Sequence, residues 1–206
     1  MYLPEHFAEH RVEELHRLIR TFPLGALVAT TAKGLDANHL PFELDADRGV
    51  LTCHVARANR LWQDCPSGSE VLVIFRGPDA YVSPNWYPGK HIHHRAVPTW
   101  NYQVVHAHGC MVVRDDERFV RGLVARLTRM HEANEPKPWK MGDAPADYID
   151  TMVQAIVGIE IEITRLEGKA KLSQNREAAD REGVRDALQA RGQMAIAEAM
   201  EKTRRH

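Results

Sequence analysis

Five aromatic side chains, Tyr81, Trp86, Tyr87, Trp100 and Tyr102, fall within 22 consecutive positions of a chain with only four Trp, five Tyr and five Phe in 206 residues. Groups that form directional hydrogen bonds are interleaved with them: Ser83 and Lys90 in "YVSPNWYPGK", Thr99 and Asn101 in "VPTWNYQVVHAHG". A flat heterocycle needs apolar walls and a few amide or hydroxyl groups to fix its polar edge, and this region offers both. The same aromatics would also serve as plain core packing, and their spacing leaves that reading open.

Two further clusters bear on a ligand. In "CHVARANRLW", His54 ends a strand, while Arg57, Asn59 and Arg60 sit where a turn becomes a helix. Free backbone N–H groups and guanidinium in such a turn suit a phosphate. Alternatively, Asn59 caps a short helix and the arginines are solvated. In "KAKLSQNR", Lys171, Ser173, Gln174 and Asn175 follow the last strand and make either a hydrogen-bonding site or a turn.

Histidines raise metal chemistry: His91, His93 and His94 lie in a loop, and His106 and His108 share one strand face by period two. Zinc or haem iron would suit such ligands, but no carboxylate or cysteine has matching spacing, so no metal site is assigned. There is no GxSxG, no P-loop and no GxGxxG after a strand, and nothing nominates a nucleophile or any other catalytic residue.

The elements that must position these residues read as follows. Val12, Leu15, Leu18, Ile19 and Phe22 have helical spacing from Arg11 to Phe22, and Pro23 ends that helix. Strands are expected at 25–31, 39–45, 49–55, 70–77 and 80–83, then a loop over 85–96, then a strand over 101–115. Asp115 or Asp116 can cap the next helix, whose stripe is Phe119, Val120, Leu123, Val124, Leu127 and Met130. Arg118, Arg121, Arg126 and Arg129 lie off that stripe, as a solvated face or an anion-binding one. "ADYIDTMVQA" is a short helix. "VGIEIEIT" (157–164) alternates, with Val157, Ile159, Ile161 and Ile163 inward and Glu160 and Glu162 outward. Two short helices broken at Gly192 close the chain.

Short hairpins with helices inserted late lack the β-α-β alternation of a doubly wound sheet. The fold expected is mainly β with α (α+β), an antiparallel barrel with peripheral helices. A net charge of -1 gives no electrostatic reason for nucleic-acid binding. No segment approaches the ~20 apolar residues of a membrane span, and the charged start is no secretory signal. Three scattered cysteines argue for a reduced, cytoplasmic protein without a disulfide framework.

"MYLPEHF", "HVARANRLW", "YVSPNWYPGK", "VPTWNYQVVHAHG" and "KLSQNR", in this order over residues 1 to 176, resemble the PaiB-like family of FMN-binding negative transcriptional regulators. The resemblance implies a flavin-reductase-like split β-barrel, related to pyridoxamine-phosphate-oxidase-type proteins, in a homodimer with FMN at the subunit interface. "VPTWNY" would then be part of a pocket lip completed by the partner. On that implication Arg57, Asn59 and Arg60 meet the phosphate, together with Lys171 and Ser173. Trp86 and Trp100 flank the ring, Thr99, Asn101 and Gln174 serve its polar edge, and His54 and Ser83 stand behind them.

The expected organisation is a split-barrel FMN-binding domain over 1–175 and a C-terminal helical extension over 176–206, packed on the barrel or the dimer partner. DNA enters only through the resemblance, because no helix-turn-helix with a basic recognition helix is visible. The function expected is a dimeric FMN-binding regulator. The alternatives are an FMN-dependent oxidoreductase of the pyridoxamine-phosphate-oxidase type, whose cofactor carries the chemistry, and a haem-binding split barrel using the loop histidines.

Overall fold

A computed structural model describes residues 1–203. Arg204, Arg205 and His206, the tip of the expected extension, lie outside the described residues. The elements are β1 (Ala8–Glu9), α1 (Val12–Thr21), β2 (Leu24–Thr31), β3 (Gly34–Pro41), β4 (Glu43–Asp45), β5 (Val50–Ala56), α2 (Leu61–Asp64), β6 (Glu70–Val82), α3 (Lys90–His93), β7 (Thr99–Arg114), α4 (Glu117–Glu132), α5 (Ala146–Gln154), β8 (Ile156–Lys171), α6 (Ala178–Gln189) and α7 (Met194–Lys202). The strands form one sheet in the order β3-β2-β6-β7-β8-β5-β4, with β1 added beside β8. The fold is mainly β with helices outside the strand order, as expected.

Contacts divide the chain into two compact units. Unit 1 comprises Met1–Phe22, Phe75–His106 and the chain from Glu167 onward; unit 2 comprises Pro23–Ile74 and Ala107–Leu166. In unit 1, α1 buries Leu15, Leu18 and Ile19, the i, i+3, i+4 face that its sequence spells out. The C-terminal helices α6 and α7 belong to this unit. Val184, Leu188, Ile196 and Ala197 share a core with Val82 and Leu172. Pairing of Ala8 with Lys169 and Glu9 with Gly168 pins the N-terminal segment to the end of β8.

In unit 2, Asp116 caps α4 by accepting the Phe119 N–H at 2.7 Å, and Val120, Leu123 and Leu127 are buried. Met130, placed on the same stripe from the sequence, is 39% exposed, so the buried face ends a turn early. The off-stripe arginines are partly engaged: Arg121 pairs with Glu117 and Asp150, and Arg126 with Glu43. Antiparallel β5 and β8 set Cys53 opposite Ile159 and His54 opposite Gly158.

Four features differ from the sequence reading. The strand expected at 39–45 is two, parted at Phe42: β3 starts at Gly34 to pair with β2, and β4 pairs with β5. The strands expected at 70–77 and 80–83 are one continuous β6. Gly77 marks a close approach rather than a break, since a Cβ there would lie 3.1 Å from Gln103 Cβ and 3.3 Å from a Leu18 methyl. The expected loop over 85–96 contains a 3-10 turn, Pro84–Trp86, and the single-turn α3. Glu160, read as outward, is buried, because Arg114 donates to it at 2.7 Å and Arg48 at 3.3 Å.

Cys53 and Cys65 are buried and Cys110 partly so, and all three are free thiols. Burial pushes the Cys53 thiol far up, which keeps it protonated. Among the described residues no helix is long and apolar enough to cross a membrane.

Candidate functional site

The residues singled out from the sequence fall into two groups, one in each unit. In unit 1 the anchor is the entry to β7. Lys171, the last residue of β8, donates from Nζ to Thr99 Oγ1 and, at 2.6 Å, to the Trp100 carbonyl. Asn101 Nδ2 donates to Ser173 Oγ at 3.1 Å and to Met200 Sδ at 3.6 Å, and Asn101 and Ser173 are 1% and 4% exposed. An amide and a hydroxyl buried together satisfy each other, so the start of β7 is fixed to the chain that follows β8.

Ser173 holds a left-handed backbone at φ 64°, a conformation that side chains other than glycine adopt at a cost. Gln174 stabilises that turn: its Oε1 accepts the Leu172 N–H at 2.6 Å and its Nε2 donates to the Ala170 carbonyl. Both ends of the Gln174 amide are thus committed to backbone.

Trp100 stands between these anchored neighbours and is 54% exposed, touching the Tyr81 ring edge-on at 6.1 Å. An exposed indole on a fixed backbone is a surface prepared for a partner or ligand. Trp86 ends the 3-10 turn with the Arg191 guanidinium 4.6 Å from its ring. Ser83 caps that turn, accepting the Asn85 N–H at 3.2 Å. His91, His93 and His94 are exposed, and His93 Nδ1 accepts the Arg95 N–H at 3.0 Å.

In unit 2, Asn59 Oδ1 accepts the Leu61 N–H at 2.9 Å, and its Nδ2 donates to Asn38 at 2.7 Å. Arg57 makes a two-pronged pair with Asp115 at 2.6 and 3.0 Å and donates to the Gln154 carbonyl. Arg60 pairs with Asp64 at 2.8 Å. Arg57 also borders a cavity of about 360 Å³ with Asp115, Asp116 and Glu117 on its wall. Surface pairs of this kind contribute ~0–1 kcal/mol. His54 Nδ1 is buried with no hydrogen-bond partner, and burial lowers its pKa, which favours the neutral ring.

Sequence reasoning missed Lys169, Arg176 and the Tyr87 hydroxyl. For the lysine a signal existed: Lys169 and Lys171 are two apart in a strand and share a face. Tyr87 was read as a ring alone, yet its hydroxyl is buried without a hydrogen-bond partner.

Residues 1–165 match the protein family described as "Putative FMN-binding domain". The Bacillus subtilis protease synthase and sporulation protein PAI 2 is 31% identical, over 92% of this chain and 89% of its own. The chain belongs to this FMN-binding, PaiB-like family. Two solved structures share the fold of this PaiB-like chain. The flavocytochrome Anf3 from Azotobacter vinelandii superposes with a TM-score of 0.61 at 12% identity, over 80% of this chain and 69% of that one. The FAD and heme binding protein from Mycobacterium smegmatis gives 0.60 at 14%, over 84% and 78%. At such identities the likeness is one of architecture, the antiparallel split barrel that the sequence led us to expect.

Proposed function

We propose that this PaiB-like protein is a homodimer that holds FMN and acts as a regulator whose signal is the occupancy or redox state of the flavin. The observation that carries the reading is Trp100: an indole 54% exposed, on a strand entry locked by Lys171 and Ser173. Family membership supplies the cofactor class, and the residues fit it. Within unit 1, Trp100 and Trp86 offer aromatic walls and Thr99 a hydroxyl, and Asn101, Lys171, Ser173, Gln174 and Ser83 hold them in place. Within unit 2, Arg57, Asn59 and Arg60 are assigned to a phosphate group, with His54 behind them and with Arg57 and Arg60 exchanging their carboxylate partners, Asp115 and Asp64, for it.

FMN, when bound, supplies one- and two-electron redox chemistry. The chain contributes binding, orientation and exclusion of water. The partner subunit is assigned to cover Trp100 and Tyr81, and a cytoplasmic location accords with three free thiols.

The test is an absorption spectrum of the purified protein before and after FMN is added. The wild type is expected to show the two flavin bands, and Trp100→Ala to bind FMN about tenfold more weakly, the loss of a ~1.4 kcal/mol aromatic contact. Arg57→Ala combined with Asn59→Ala should weaken FMN more than riboflavin. A wild type that remains colourless with FMN present would end this reading.

A further inference from the structure

Lys169, Lys171 and Arg176 are three cations of unit 1, and among the described residues none of them forms an ion pair. Lys169 is 9% exposed; its Nζ donates to the Tyr2 carbonyl at 2.9 Å and lies 5.4 Å from the Tyr2 ring and 5.6 Å from the Tyr102 ring. Two of its three N–H bonds have no oxygen partner. Lys171 uses two of its three on Thr99 and Trp100. The Arg176 guanidinium lies 4.9 Å from the Tyr87 ring centre and makes no hydrogen bond to a carboxylate.

Burial and the nearby charges of Lys169 and Arg176 hold the Lys171 ammonium below the usual lysine range, so the three repel one another. Asp180, whose carboxylate also bears on Tyr87, accepts the Gly89 N–H at 2.8 Å, and the trio still exceeds it by two positive charges. The Tyr87 hydroxyl is buried within electrostatic reach of Ser173 and Arg176, and neither meets it with hydrogen-bond geometry. Like charges gathered without counter-ions, next to a buried hydroxyl that no side chain engages well, suit an anion.

We infer that unit 1 carries an oxyanion site, formed by Lys169, Lys171, Arg176 and Tyr87, for a small molecule bearing a phosphate monoester that exchanges with the flavin or modulates it. The inference rests on the reading above that assigns the phosphate of FMN to Arg57, Asn59 and Arg60. The net positive charge matches a dianion, and the hydroxyl and guanidinium supply directional donors. The shared chemistry, a phosphate dianion, could also come from FMN itself, and the experiment separates the two sources.

Inorganic phosphate is the probe, added to the FMN-loaded protein and followed by 31P resonance line width, with bound FMN followed by its absorption. Wild type is expected to broaden the phosphate line without releasing FMN. Arg176→Gln and Lys169→Gln should each weaken phosphate about tenfold, the scale of one charge-assisted hydrogen bond, while FMN affinity stays within about twofold. Arg176→Lys should restore much of the loss. Thermal unfolding and near-UV dichroism show that each variant is folded, and either Gln variant suffices if the other fails to fold.

Phosphate that displaces FMN would assign the cations to the cofactor and overturn the inference. So would an unbroadened line with wild type, or equal broadening with Arg176→Gln. If the protein takes no FMN at all, the proposed function fails, and the same titration on the flavin-free chain decides the oxyanion site alone.

Discussion

Glu160 carries a buried negative charge that two arginines from separate parts of unit 2 neutralise. Breaking a buried pair costs ~3–5 kcal/mol when the remaining charge stays buried. Here the partners Arg48 and Arg114 are 59% and 41% exposed at the side chain and regain water readily. Glu160→Gln should therefore cost only about 1–2 kcal/mol, read from urea unfolding. His54 acts through pH. Burial lowers its folded-state pKa below the ordinary 6.5, and burial followed by Arg20 does the same for His16. Well above pH 6.5 both rings are neutral whether folded or not. As the pH falls below that value the unfolded chain takes up protons that the folded chain refuses, and stability drops until the lowered folded pKa is passed. His54→Gln should flatten part of that decline between pH 7.5 and 5, with His16 keeping the remainder; an unchanged slope of unfolding midpoint against pH would refute the assignment.

At the scale of elements, the first turn of α4 sits on the β8 backbone at Gly158. A Cβ there would lie 2.7 Å from two Phe119 ring carbons and 3.0 Å from the Arg114 carbonyl. Gly158→Ala should cost ~1–3 kcal/mol, as overpacking does, with a lowered thermal midpoint as the readout. The helices and most strands could be read from the sequence, because a 3.6- or 2-residue period reports which face is buried. Residues whose environment is made by distant partners could not. Glu160 fits the outward phase of its strand, and only Arg48 and Arg114, remote in sequence, reverse it. Gly77 and Pro78 look like punctuation, yet β6 runs through them because Leu18 and Gln103 need the space. In the site, Asn101 and Ser173 were singled out by residue type, but their mutual bond spans 72 positions. Arg57 and Arg60 were singled out too, without the aspartates that hold them.

For the molecule as a whole, Trp100 and Tyr81 leave an aromatic surface that a second copy is proposed to cover. Sedimentation velocity should therefore give about twice the 23.4 kDa of one chain, and Trp100→Glu should shift the population to monomer. With a net charge of -1, direct binding to DNA should be negligible at physiological salt, so that a regulatory role runs through small molecules or proteins.

The division into units also has a meaning for how the chain is made. Unit 2 is complete when Leu166 has been synthesised, whereas unit 1 joins Met1–Phe22 to Phe75–His106 and to everything from Glu167 onward. On the ribosome, α1 and the aromatic strand entry must wait, their apolar faces uncovered, for the last fifth of the chain. Loop closure over such sequence distances is slow. The half of the protein assigned to the flavin ring is the half whose chain is completed last, and a chain released early would have no place for Trp100 to be held.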